Sequence, residues 1–286
     1  MSTDPAKPAP APRRRSEPPY RGNGQGPPTA RVAFGTIQDG TGHRIVLFGP
    51  GGIGKTSLAA TAPGPVAFFD LDDSLPRLKS SFVESGLNLD IRPIQGVLGW
   101  QDMRDALHAQ GWEAVKTIVV DSATRAEELA VAHTIATVPH EKKDIAIRRI
   151  EDYGFGKGYQ HVYDTFLTLL GDLDQHTRAG RNVILICHDC TNTVPNPSGE
   201  DWLRYEPRLQ CPSSGKAAIR LRVREWADHV LFLGYDVNVQ EGKGKGSGTR
   251  TIYPCELPHC MAKSRTLADA VPLAKFDQSL WANLLK

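Results

Sequence analysis

Eight consecutive residues, Gly49-Pro50-Gly51-Gly52-Ile53-Gly54-Lys55-Thr56, fit the pattern G-x-x-x-x-G-K-[ST]. Glycines at these places let backbone N–H groups turn inward toward phosphate oxygens. A helix starting at Lys55, Thr56 and Ser57 adds the partial positive charge of its N-terminus. In such a loop Lys55 reaches the β- and γ-phosphates and the Thr56 hydroxyl holds Mg²⁺. Three further polar groups follow apolar runs. Asp121 ends Thr117-Ile118-Val119-Val120 and is placed to share the Mg²⁺ shell. Asp70, Asp72 and Asp73 follow Val66-Ala67-Phe68-Phe69, and His188 follows Val183-Ile184-Leu185-Ile186-Cys187.

Those runs are the elements that must carry the chemistry. Arg44–Phe48 reads as a buried strand feeding the glycine turn. Residues 57–62 read as a helix stopped by Pro63 and Gly64. Strands at 65–70, 91–94, 116–122 and 182–188 are separated by helical patterns at 99–110, 123–137 and after 158. The spacing between Lys55 and Asp121 leaves room for about two βα units, which predicts a parallel sheet and an α/β fold. Val230–Leu233 and Arg250–Tyr253 flank a glycine-rich tip, 242–248, and read as a hairpin. A short helix is expected near 277–285. Residues 138–158 read as an insertion and 190–218 as loop.

Composition narrows the setting. Forty per cent hydrophobic and 23% charged residues suit a globular chain of 286 residues. No apolar run approaches a membrane span, no secretory signal pattern opens the chain, and five cysteines suggest free thiols in a reducing cytoplasm. Residues 1–30 hold eight of the 21 prolines and a net +3, leaving about −1 of the overall +2 for the rest. That segment is expected to be a disordered, basic, proline-rich tail, with the folded domain over 31–286. Because the domain is not basic in bulk, a nucleic-acid contact has to come from local patches. The densest is Lys216, Arg220, Arg222 and Arg224. The last three alternate, so an extended loop would place them on one side facing DNA, whereas a helix would not. Cys187, His188 and Cys190 with His259 and Cys260 could suggest zinc, but strand alternation sends Cys187 and His188 to opposite faces.

Taken together the motifs resemble the RecA-like ATPases, over about residues 43–275. Asp121 is followed by Ser122 rather than the Glu typical of AAA+ enzymes, and no guanine-reading Asn-Lys-x-Asp is present. The resemblance implies ATP and Mg²⁺ as ligands, with Asp72 polarising the attacking water and His188 sensing the γ-phosphate. It also implies that Lys263 and Arg265, in Lys-Ser-Arg, reach as paired cations into the neighbouring subunit's nucleotide. The expected partners are single-stranded DNA, other copies of the chain in a ring or filament, and a single-strand-binding protein. Within that family the layout looks most like phage-encoded proteins of single-strand annealing and recombination. Two other readings stay open: a P-loop phosphotransferase acting on a small molecule, and a nucleotide-gated DNA-binding or loading protein that does not hydrolyse.

Overall fold

In the computed structural model the chain divides into residues 1–38 and 39–286. The described residues are 35–36, 40–142, 145–240 and 243–286, with only the backbone given for 237–240 and 243–247. The proline-rich tail therefore lies outside them, as do residues 31–34 at the start of the expected domain.

In chain order the second unit contains β1 (Arg44–Phe48), α1 (Lys55–Ala60), β2 (Val66–Asp70), α2 (Leu75–Glu84), β3 (Ile91–Pro93), α3 (Trp100–His108), β4 (Thr117–Asp121) and α4 (Ala123–Thr137). A 3₁₀ turn, Ile150–Tyr153, precedes α5 (Lys157–Arg178). Then come β5 (Asn182–Cys187), β6 (Asp189–Val194), β7 (Trp202–Pro207), α6 (Ile219–Trp226), β8 (His229–Gln240), β9 (Lys243–Tyr253), β10 (Val271–Pro272) and α7 (Ser279–Leu284). Eight strands form one sheet in the order β10-β9-β8-β1-β5-β4-β2-β3. From β8 to β3 every pairing is parallel, while β9 and β10 run antiparallel. The fold is thus α/β with a C-terminal antiparallel edge.

Continuous β-branched and aromatic runs suit strands buried on both faces. Val46 and Phe48 of β1 pack with α3, α4, α5 and α6, while Ile45 and Leu47 pack with α1, α2 and α7. Parallel register aligns the strand ends: Phe48 lies beside Cys187, and Asp121 beside Ile186 and Asp70. The turns after β1, β2, β4 and β5 therefore leave from one edge of the sheet, where open α/β folds place their ligands. Because β5 lies between β1 and β4, His188 emerges between the glycine turn and Asp121. Among the described residues no helix is long and apolar enough to cross a membrane.

Two expectations need correction. Residues 190–218 are not all loop: β6 and β7 pair into a separate antiparallel ribbon. Its strands carry no apolar run because the ribbon stands outside the sheet; Asn192 of β6 donates across it to Glu206, which Arg204 also holds from the same strand. The glycine-rich tip is also shorter than expected, since β9 begins at Lys243 and pairs as far as Gln240.

Candidate nucleotide-binding site

The glycine turn is shaped by close neighbours. Gly49 has φ +149°, and a Cβ there would meet the Leu233 carbonyl oxygen at 2.2 Å. Gly54, with φ +109°, precedes α1 in the left-handed region, where only glycine is at ease. Gly51 and Gly52 face open space, with nothing within 4 Å of a would-be Cβ. Lys55, 8% exposed, donates its amine to the carbonyls of Gly49 (2.6 Å) and Pro50 (2.9 Å). Burial pulls its pKa below the usual lysine value, against the raising influence of Asp189, Asp121, Cys187 and Asp72. Thr56 and Ser57 complete the first helical turn, whose N–H groups have no partner within the helix.

Across the turn, the Thr56 hydroxyl donates to Asp121 Oδ2 at 2.7 Å. Asp121 is 3% exposed. Burial raises its pKa to about 6, opposed by the Thr56 hydrogen bond and helped by the charges of Asp72 and Asp70. A hydroxyl and a buried carboxylate side by side, with more carboxylates nearby, form a hard-oxygen donor set of the kind Mg²⁺ takes. Asp72 Oδ2 lies 3.3 Å from His188 Nε2. That hydrogen bond is the main cause holding the Asp72 carboxyl below its usual pKa, with Ser122 and Arg125 adding to it against desolvation.

The three carboxylates at and just past the end of β2 have separate surroundings. Asp70 accepts the N–H groups of Ser74 (2.8 Å) and Leu75 (3.0 Å), so it caps α2. Asp73 is exposed, in left-handed backbone at φ +51°. Only Asp72 meets His188. His188 is itself held by Thr124, a residue not singled out from the sequence. Its hydroxyl accepts the His188 N–H (3.1 Å) and donates to the Arg208 carbonyl (3.2 Å), while the Arg208 N–H donates to the His188 carbonyl (2.9 Å). Thr124 sits two residues past Ser122 in the first turn of α4, a place the Asp-Ser pair could have pointed to.

The basic stretch is a helix, not an extended loop. Ile219, Val223 and Trp226 are buried at helical spacing in α6, and that apolar face overrides the alternation of the arginines. Arg220, 8% exposed, forms an ion pair with Glu206 and donates to the Leu209 carbonyl. Arg224 pairs with Glu256 and Arg222 with Glu225. The three do not share a face turned to DNA, and Arg220 is part of the core. Lys216 is exposed in the turn before α6.

Lys263 and Arg265 are at the opposite edge of the sheet from the glycine turn. Lys263 pairs in a bridge with Val230, near the start of β8. Its amine donates to the carbonyls of Ala227 (2.6 Å), Arg224 (3.2 Å) and Glu225 (3.4 Å), at the C-terminus of α6. Arg265 Nε donates to Asp228 at 2.8 Å. Within the chain both cations are engaged, and neither approaches Lys55 or Asp121.

The profile of one family, described as an AAA domain (AAA_24), matches residues 41–266. The chain belongs to that family. The matched span runs from just before β1 to just past Arg265, so it takes in the whole candidate site. No curated protein matches the chain. Among solved structures it is similar to a KaiC-like protein from Pyrococcus horikoshii OT3 at 15% identity, covering 81% of this chain and 85% of that one, with a TM-score of 0.40. The RadB recombinase matches at 15% identity over 74% and 80%, TM-score 0.40. The flagellar accessory protein FlaH from Methanocaldococcus jannaschii matches at 14% over 74% and 78%, TM-score 0.34.

Proposed function

We propose that the chain is a Mg²⁺-dependent ATPase of the RecA-like kind. The observation that carries this is the convergence of Thr56, Asp121, Asp72 and His188 beside the glycine turn, from four different strand ends. The turn's N–H groups and Lys55 bind the phosphates. Thr56 and Asp121 would hold Mg²⁺, which would supply positive charge to balance the phosphates. Asp72, kept ionised by its hydrogen bond from His188, orients a water for attack and accepts its proton. Thr124 fixes His188, so the imidazole stays within reach of both Asp72 and the terminal phosphate.

We further propose that single-stranded DNA stimulates this hydrolysis and that the chain works as an oligomer. The support is the motif resemblance, together with the exposed Arg208, whose backbone N–H donates to the His188 carbonyl, and the exposed Lys216 in the turn before α6. A role in phage annealing or recombination rests on the resemblance alone. Phosphate release measured with and without single-stranded DNA tests the reading. Mg²⁺-dependent ATP turnover that rises with DNA supports it. DNA-independent phosphoryl transfer to a small acceptor favours the phosphotransferase. ATP binding without turnover favours the gated binding protein.

A further inference from the structure

We propose that Arg250, on β9, is a second own-chain cation of the nucleotide site. With Lys275 and Phe276 it forms the wall that takes the nucleoside end of the bound triphosphate. This rests on the ATP-binding reading above.

Arg250 touches the glycine turn itself. Its Nη1 donates to the Ile53 carbonyl at 2.8 Å. A trans peptide is planar, so its C=O and the following N–H point in opposite directions. Holding the Ile53 oxygen toward Arg250 therefore turns the Gly54 N–H the other way, into the turn. The fit is close, since a Cβ on Gly54 would lie 2.9 Å from the guanidinium. Among the described residues no carboxylate pairs with Arg250, so guanidinium donors remain for a ligand.

Sheet order gives the direction. Thr56 and Asp121 fix the terminal phosphates on the β5–β4 side of β1. The nucleoside end then leaves on the other side of β1, over β8 and β9. There a cavity of about 140 Å³ borders Gly54 and Ser57 and is closed by Arg250, Leu273, Lys275 and Phe276. Lys275 Nζ stands 5.3 Å from the Phe276 ring centroid, and that ring meets Phe82 edge-on at 5.7 Å. Phe276 has φ +59°. A bulky side chain in left-handed backbone is strained, and such strain concentrates at ligand sites. An aromatic face and two cations beside a helix N-terminus suit the base, sugar and α-phosphate of a nucleotide.

The test compares ATP with inorganic tripolyphosphate, which lacks the nucleoside, on the full chain. Phe276→Ala is expected to weaken ATP binding about 10-fold and leave tripolyphosphate within about 2-fold. Arg250→Gln is expected to weaken ATP by about 10- to 100-fold and tripolyphosphate less, with Arg250→Lys in between. Thermal melts check folding, and the exposed Lys275→Gln repeats the ATP-selective loss if Phe276→Ala does not fold. If the variants bind ATP like the wild type, or lose both ligands equally, the nucleoside wall is overturned. If the wild type binds ATP no better than Lys55→Ala does, the ATP-binding reading itself has failed, and the proposal with it.

Discussion

The two ends of the sheet's parallel strands hold their polar residues in opposite ways. At the N-terminal edge the groups close on each other. His43 Nδ1 lies 3.1 Å from His229 Nε2, and His229 Nδ1 lies 2.9 Å from the Ser264 hydroxyl. Asp228 accepts the Arg44 N–H and the Arg265 guanidinium, and Lys263 spends its donors on three carbonyls. At the C-terminal edge Asp121, Asp72 and Lys55 crowd together: burial and the charges of Asp72 and Asp70 raise the proton affinity of Asp121, and burial lowers that of Lys55. A closed network contributes to stability. An open cluster of buried charges costs stability and recovers it when a ligand of complementary charge binds. Breaking the first should therefore change melting, and breaking the second should change binding and turnover.

The largest expected effect is at the open edge. Lys55→Ala removes the buried amine at the glycine turn. ATP hydrolysis should fall by about 10²–10³-fold or more, measured by phosphate release at saturating Mg²⁺. Asp72→Asn separates binding from chemistry. Turnover should drop by about 10²-fold, while the ATP dissociation constant changes no more than about 3-fold, because the role proposed for Asp72 is on water rather than phosphate. Wild-type turnover in Asp72→Asn would hand the role to Asp73, since Asp70 is occupied as the cap of α2.

The open edge was also the more legible in sequence. A glycine turn between an apolar run and a helix start has one main use, and β-branched runs ending in Asp121 and His188 locate strand tips without any knowledge of packing. Residues that work through packing were hidden. In α6, Arg220 reads as a surface charge until Glu206 is seen beneath it, and Glu206 lies on a ribbon with no apolar signature. Arg250 gave no signal, because its contact with Ile53 spans 197 positions in the chain. Lys263 and Arg265 were recognisable as a motif, but their actual partners are the α6 C-terminus and Asp228, which only the tertiary fold brings near.

The closed edge should respond to pH. His229 is fully buried, and burial, with the His43 charge adding to it, lowers its pKa to about 4 from the ordinary 6.5. The folded state thus keeps it neutral where the unfolded chain takes up a proton. Its contribution is fully present above about pH 6.5, is lost as pH falls toward 4, and levels off below that. The size is at most about 3 kcal/mol. Urea midpoints at pH 7, 5.5 and 4 should fall for the wild type, and His229→Gln should flatten that slope. Parallel slopes in the two proteins would move the pH dependence to other groups.

The smallest effect, and the sharpest contrast, concerns Lys263. As a cation on the last carbonyls of α6 it should be worth about 1 kcal/mol, since a charge at a helix C-terminus interacts favourably with the dipole. Lys263→Ala should lower the melting temperature by a few degrees and leave ATP turnover near wild type. A cation reaching across to a neighbour's nucleotide behaves differently. Lys263→Ala/Arg265→Ala would then be inactive alone, and mixing it with Lys55→Ala would restore activity, with a maximum at an intermediate ratio. The amine's three carbonyl contacts favour the first outcome. Recovery on mixing, under conditions where wild-type subunits exchange, would mean that these bonds open on assembly. The N-terminal edge would then be closed only in the isolated chain and would form half of an active site in the oligomer.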